Sequence, residues 1–242
     1  DVTVTVSYGG VQTACWRLAD ALARAGHEVA MFGGNGNIRP ANLHPNIKVF
    51  TVPFRPREKV IDIGSRFQRI VERASHARHA RHAFAAGGYD WAILTKPFDF
   101  YWPWILPKDC KTKFCFMSGG TDFYAGDRML AKKIDAWVAA SEFNAWQIHA
   151  RYKHWPKVIY NGVETDKFAP GVRDESLRAR LGIAPDTVLF AFAGRLVGWK
   201  GLVVALKALT EPAMRDTNAK LLIIGDGPQK PELKQRAQTL GV

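Results

Sequence analysis

The chain has 242 residues, of which 47% are hydrophobic and 23% are charged. This composition excludes an intrinsically disordered chain, and no run of about 18 uncharged apolar residues indicates a membrane-spanning helix. The formal net charge of +12 favours anionic partners, which leaves phosphorylated substrates, nucleic acid and anionic membrane surfaces open.

The first two thirds of the chain alternate between strand-like and helix-like segments. Alternating valines predict a strand over residues 2–6, a Gly9-Gly10 turn follows, and apolar residues at helical spacing predict a helix over 11–25. A strand at 28–34 would complete a βαβ unit with parallel strands. Further strands are predicted at 47–53, 91–95, 112–117, 136–141 and 157–162. This alternation is typical of an α/β fold with doubly wound sheets.

Two segments between these strands have an unusual composition. Residues 66–82 are strongly basic and helical in pattern, which indicates a solvated face, with contact to an anionic membrane or acceptor as the alternative. The three histidines in this segment lack a carboxylate beside them, so a metal site is disfavoured. Residues 96–107, KPFDFYWPWILP, place aromatic side chains between prolines. Core or loop packing is the first interpretation, and an acceptor-facing or lipid-facing surface is the alternative.

A polar segment after Val163, containing Pro170 and Gly171, interrupts the pattern and predicts a domain boundary near 163–172. We therefore expect domains at 1–163 and 164–242. Elements predicted in the second domain are a helix at 174–181, a strand at 187–194, a helix at 200–209, a strand at 219–225 and a helix at 229–240. Because two strands are too few for a complete domain of this kind, we expect a C-terminally truncated chain with an incomplete second domain.

The stretch AGRLVGWKGL, residues 193–202, offers two cations in a glycine-rich turn after a predicted strand. Such turns bind anions, because the N–H groups at a helix start are unsatisfied and the helix dipole favours negative charge. Arg195 can donate a forked pair of hydrogen bonds and Lys200 supplies a compact charge, which predicts a diphosphate site. Neither a GxGxxG motif nor a P-loop is present, so NAD and P-loop ATPase functions are disfavoured.

Four stretches, taken in order, resemble the retaining glycosyltransferases of the GT-B fold, family four (group 1). They are Gly9-Gly10-Val11 with a helix ending in AGHEV, the linker VIYNGVETDKFAP, the AGRLVGWKGL turn and LLIIGDGP. The resemblance implies an α/β, GT-B-like fold in which two Rossmann-like doubly wound domains face a cleft. It also implies transfer of a sugar from a nucleotide-diphosphate donor to a glycan or lipid-linked acceptor, with retention of configuration and without a cofactor or essential metal.

The resemblance also implies roles for matching residues. Arg195 and Lys200 would hold the donor diphosphate and act in catalysis, and the backbone of Gly9 and Gly10 would approach the same phosphates. An ordinary strand-to-helix turn is the alternative for the glycine pair.

Two further regions offer candidate site residues. Ser118 and Gly119 stand where the family usually has a histidine, which leaves Asp122 as the nearest polar candidate for a catalytic residue that orients a sugar hydroxyl. Gly225 and Gly227 would lie at the donor-site loop or form an ordinary turn.

Three cysteines without paired spacing argue against a disulfide framework or a zinc site. We therefore expect a cytoplasmic protein. The resemblance implies a part in cell-envelope polysaccharide biosynthesis, with peripheral association at the inner face of the membrane left open. The alternative from another class is a non-catalytic basic protein that binds nucleic acid or an anionic membrane surface, nucleic acid being the less favoured partner.

Overall fold

A computed structural model describes residues 2–7, 9–120, 122–215 and 217–242. The chain divides into two compact units, Asp1–Val163 and Glu164–Val242. Residues 159–174, around this division, hold no helix or strand. Among the described residues, none of the helices combines the length and the apolar character needed to cross a bilayer.

Helices and strands alternate along the described part of unit 1. In chain order they are α1 (Gly10–Arg24), β1 (Val29–Gly34), β2 (Ile47–Val52), α2 (Ser65–Ala86), β3 (Trp91–Leu94), α3 (Trp102–Ile105), β4 (Lys113–Met117), α4 (Asp127–Leu130), β5 (Ala136–Ala139), α5 (Glu142–Tyr152) and β6 (Lys157–Val158). All strand pairs are parallel, with β1 beside β2 and a separate sheet in the order β3-β4-β5-β6. The α/β class with parallel sheets is thereby confirmed.

The valine alternation at the start of the chain does not form a strand. Val2–Thr5 form a 3-10 helix instead, because the N–H groups of Val6 and Ser7 both donate back to the carbonyl of Thr3 at 3.1 Å. The predicted βαβ unit is therefore wrong in its first strand. The prediction failed because alternation reports which side chains are buried, and Val2 and Val4 are almost fully buried without a strand ladder.

The basic helix α2 is only partly a solvated face. Arg73 and His76 are buried, and the Arg73 guanidinium forms an ion pair with Asp99, which is also buried. Arg66 and Arg78 are exposed, as expected. The prediction was wrong for Arg73 and His76, because their burial depends on a partner that lies on another segment of the chain.

The aromatic segment 96–107 mainly packs in the core of unit 1. Phe100 and Trp102 are buried beside Phe116 on β4, and Phe100 contacts Phe116 edge-on with ring centroids 4.8 Å apart. Trp104 differs because it is 44% exposed, although its indole N–H donates to the carbonyl of Leu130 at 3.0 Å. The packing interpretation is confirmed for Phe100 and Trp102.

Unit 2 contains a two-stranded parallel sheet with helices around it. Its described elements are α6 (Glu175–Arg180), β7 (Val188–Ala193), α7 (Leu202–Ala208), α8 (Pro212–Arg215), β8 (Ala219–Ile224) and α9 (Lys230–Leu240). Asp174 caps α6 by accepting a hydrogen bond from the backbone N–H of Leu177 at 2.9 Å. Leu196, Leu202, Leu206 and Leu233 form the buried core of this unit.

Candidate functional site

In unit 2, the turn that follows β7 presents Arg195 and Lys200 to solvent. Leu196 and Val197 between them are buried and anchor the turn in the core, whereas both cationic residues are exposed. Among the described residues, neither Arg195 nor Lys200 has an ion-pair partner. Two cations held close in sequence without a neutralising carboxylate are well suited to bind an anion.

Lys200 does not lie in a helix as predicted. Gly198–Lys200 form a 3-10 turn, and α7 begins only at Leu202. The reason is Gly201, which has φ 73° and turns the chain in the left-handed region before the helix starts. Lys200 therefore belongs to the same turn as Arg195.

Gly225 and Gly227 lie beside this turn. The N–H of Gly194 donates to the backbone carbonyl of Ile224 at 2.9 Å, and the N–H of Leu196 donates to the backbone carbonyl of Asp226 at 2.9 Å. These bonds join the loop after β8 to the loop after β7. The glycines thus have a packing role that sequence reasoning missed, since it considered only a ligand contact or an ordinary turn.

In unit 1, Gly9 and Gly10 form the start of α1. Gly9 is the N-cap residue in extended backbone, and no side chain caps the helix. A Cβ atom at Gly10 would meet no described residue within 4 Å, so the described surroundings leave the backbone there open to approach. The uncapped first turn is consistent with the predicted phosphate contact, which stays a prediction.

In the loop after β4, Ser118 and Gly119 form part of a tight turn at the place where a histidine was expected. Ser118 is buried, and its hydroxyl donates to the carbonyl of Gly120 at 3.1 Å. A Cβ atom at Gly119 would lie 3.0 Å from Val11 of α1, so a larger side chain at position 119 requires Val11 to move. Neither position offers a free side chain to a sugar.

Asp122 forms a bridge between two cations. Its carboxylate accepts a hydrogen bond from Lys96 Nζ at 2.8 Å and pairs with Arg69 Nη1 at 3.2 Å. Burial alone would raise the pKa of Asp122, but the hydrogen bond from Lys96 and the charges of Lys96 and Arg69 lower it below its ordinary value. Asp122 is therefore an ionised acceptor at neutral pH and is suited to accept a hydrogen bond from a hydroxyl, not to donate a proton.

A cavity of about 630 Å³ opens beside Asp122 in unit 1. Arg66, Arg69 and Phe98 contribute to its walls. The sequence singled out Asp122 but not Lys96, and it assigned both arginines to a solvated face. In the described part of the chain, no group of three histidine, cysteine, aspartate or glutamate side chains is arranged to hold a metal ion.

Two family models match this chain, one over most of unit 1 and the other over most of unit 2. The model described as Glycosyltransferase Family 4 matches residues 8–167, and the model described as Glycosyl transferases group 1 matches residues 173–242. The chain therefore belongs to Glycosyltransferase Family 4. The resemblance that the sequence motifs indicated is confirmed.

Curated relatives of this family 4 chain are glycosyltransferases. A D-inositol 3-phosphate glycosyltransferase from Actinosynnema mirum is 34% identical over 129 residues, which cover 48% of this chain and 31% of that protein. One from Geodermatophilus obscurus is 32% identical over 129 residues, covering 48% and 28%. An uncharacterised glycosyltransferase from Methanocaldococcus jannaschii is 34% identical over 89 residues, covering 36% and 23%. The chain matches less than a third of the length of these three relatives.

Solved structures support the GT-B-like fold. Anabaena HepE, in complex with UDP-glucose, aligns with a TM-score of 0.64 at 19% identity, over 97% of this chain and 64% of that one. TarM of S. aureus, in a complex that includes UDP, aligns with a TM-score of 0.50 at 13% identity, over 69% and 35%. At these identities the likeness concerns the fold alone.

Proposed function

We propose that this family 4 chain provides the donor diphosphate site and the acceptor-side unit of a retaining glycosyltransferase that uses a nucleotide-diphosphate sugar. The observation that carries the proposal is the turn holding Arg195 and Lys200, exposed and without a carboxylate partner among the described residues. The UDP-glucose complex of HepE, a protein of similar fold, supports a nucleotide sugar as the donor.

In the proposed reaction, the bond between the anomeric carbon of the donor sugar and the diphosphate oxygen breaks. Negative charge builds up on the departing diphosphate, and Arg195 and Lys200 stabilise that charge. The acceptor hydroxyl forms the new bond on the same face of the sugar and transfers its proton to the leaving diphosphate. Because the cations interact more strongly with the transition state than with the intact donor, they accelerate the reaction rather than only binding the substrate.

The remaining predicted residues have supporting parts in this proposal. Gly9 and Gly10 leave the first turn of α1 open for a phosphate oxygen. Asp122, ionised between Lys96 and Arg69, accepts a hydrogen bond from a sugar hydroxyl. We propose a glycan or lipid-linked acceptor and a cytoplasmic location, with peripheral contact at the membrane, on the basis of the high positive charge.

The proposal is tested by titrating the protein with UDP, GDP and ADP and then supplying the matching sugar donor with acceptor candidates. We expect one nucleotide to bind and its sugar to be transferred. Proton NMR of the product then reads the configuration of the new glycosidic bond, and inversion would contradict the retaining mechanism. Strong salt-sensitive binding to DNA or RNA, without binding of any nucleoside diphosphate, would replace the proposal with the nucleic-acid alternative.

A further inference from the structure

We propose that the cavity beside the start of α2 binds a phosphate ester carried by the acceptor, and that Arg66 is the principal ligand for that phosphate. This inference rests on the proposed function, because it names the chemistry of the acceptor that the glycosyltransferase would take. The cavity has a volume of about 630 Å³ and lies entirely within unit 1. That volume falls in the range of sites that enclose a small organic ligand.

The cations at this cavity outnumber the carboxylates that face them. Arg66 and Arg69 line the cavity, and Lys96 approaches it through its hydrogen bond to Asp122. The single carboxylate of Asp122 is shared by Lys96 and Arg69. Arg66 is exposed and makes no ion pair with any described residue. A nearby carboxylate, Asp62, is directed to the backbone N–H of Gly64 at 3.2 Å and does not neutralise Arg66.

The position of Arg66 in α2 adds to this imbalance. Helix α2 has 22 residues, no acidic residue in its first turn and no side-chain cap. Arg66 therefore lies near unsatisfied N–H groups and the positive end of the helix dipole, where a cation raises the electrostatic free energy. A bound anion would lower that energy by pairing with the guanidinium and the free N–H groups together.

The walls of the cavity favour a phosphorylated polyhydroxy compound over a bare ion. Phe98 is 2% exposed, stacks on Tyr124 with centroids 4.8 Å apart and carries the Arg69 guanidinium 6.0 Å above its ring. Phe98 therefore holds Arg69 in place, and the exposed side chains of Ile63 and Phe67 give the cavity an apolar wall on which the carbon face of a sugar or cyclitol can lie. Guanidinium groups match phosphate geometry, and the Asp122 carboxylate still has lone pairs for hydroxyl groups.

The phosphate ester could belong to a soluble sugar phosphate or to a phospholipid-linked acceptor, and the experiment separates the two sources. The protein is titrated with glucose 6-phosphate, glucose and inorganic phosphate by calorimetry. Vesicles of phosphatidylcholine with and without phosphatidic acid form the lipid arm. We expect glucose 6-phosphate to bind more tightly than glucose. If vesicles with phosphatidic acid bind and glucose 6-phosphate does not, the phosphate belongs to a lipid.

Variants connect the binding to this cavity. Arg66→Ala should weaken binding of glucose 6-phosphate, or of the phosphatidic acid vesicles, by about tenfold, the scale of one lost charge-assisted hydrogen bond. Arg78→Ala is the matched control, because Arg78 is also exposed on α2 but does not line the cavity. Asp122→Asn should strengthen phosphate binding severalfold, since it frees Lys96 and Arg69 from their internal anion. If Asp122 had only a structural role, its replacement would not increase the affinity of the protein for phosphate.

Two outcomes would overturn the inference. One is phosphate ester binding that is equal in Arg66→Ala and Arg78→Ala but lost in Arg195→Ala, which would assign the phosphate to unit 2. The other is no binding of glucose 6-phosphate or of phosphatidic acid vesicles while UDP binds normally, which leaves the proposed function intact. Conversely, binding that depends on Arg66 in a protein that binds no nucleoside diphosphate would support the anion site and contradict the proposed function.

Discussion

Gly225 and Gly227 allow the loop after β8 to touch the loop that carries Arg195. A Cβ atom at Gly225 would lie 1.9 Å from the carbonyl oxygen of Gly194, and one at Gly227 would lie 2.4 Å from that of Leu196. Both contacts are with backbone, which cannot rotate away as a side chain can. The two glycines therefore fix the loop from which Arg195 projects.

Replacing Gly225 should destabilise unit 2. Gly225→Ala adds a backbone clash at a residue with φ 151°, so we expect the free energy of unfolding to fall by about 2 kcal/mol or more. Urea denaturation measures this change. Gly171→Ala is the control, because a Cβ atom there meets no residue of the described ranges within 4 Å and should change stability by at most about 0.5 kcal/mol. Equal stability of the two variants would contradict the packing role.

At the scale of one element, α2 combines a solvated start with a buried polar middle. Arg66 and Arg78 are exposed, whereas Arg73 is buried beside Asp99 and His76 is buried beside Trp102. The imidazole Nε2 of His76 has no hydrogen-bond partner among the residues that the structure describes. A buried imidazole in this position is stable only as the neutral form.

The stability of unit 1 should therefore depend on pH through His76. Burial lowers the pKa of His76 from 6.5 to about 3, and the neighbouring charge of Arg73 adds to the effect. Above pH 6.5 the imidazole is neutral in both states. Between pH 6.5 and 3 only the unfolded state binds the proton. The free energy of unfolding therefore falls as the pH falls, by up to about 1.4 kcal/mol per pH unit from this group.

Denaturation midpoints at pH 7, 6, 5 and 4 measure this dependence. His76→Gln removes the titrating group and should give a shallower loss of stability on acidification than the wild-type protein. His79→Gln is the matched control, since His79 lies on the same helix and is exposed. If both variants keep the wild-type slope, the buried neutral state of His76 is not the cause.

For the whole molecule, we expect the segment between the two units to be the part of the chain most susceptible to proteolysis. Residues 159–177 are uniformly exposed and hold no helix or strand before α6. We expect brief trypsin digestion to cut first after Lys167 or Arg173 and to release fragments that correspond to the two units. Mass spectrometry identifies the first cut. A first cut within α2, which carries several exposed arginines, would contradict the two-unit description.

The sequence predicted local features well, because each depends on neighbouring residues. The strands β4 and β7 follow from apolar runs bounded by polar turns, and the turn with Arg195 and Lys200 follows from its glycines and cations.

Features that depend on distant partners could not be predicted. The cluster of Arg69, Lys96 and Asp122 joins three separate segments, and the Arg73–Asp99 pair joins α2 to the loop after β3. Residues 2–6 were misassigned for the same reason, because burial and strand pairing both satisfy an alternating pattern.

The central claim is that Arg195 and Lys200 bind the diphosphate of the donor, and UDP titration by calorimetry tests it most directly. We expect UDP to bind more tightly than uridine, and Arg195→Ala and Lys200→Ala each to weaken UDP binding by about tenfold or more. Arg180→Ala, a loss of the same charge at an exposed residue of α6, should leave binding unchanged. Equal affinity for UDP in Arg195→Ala, Lys200→Ala and Arg180→Ala would contradict the account.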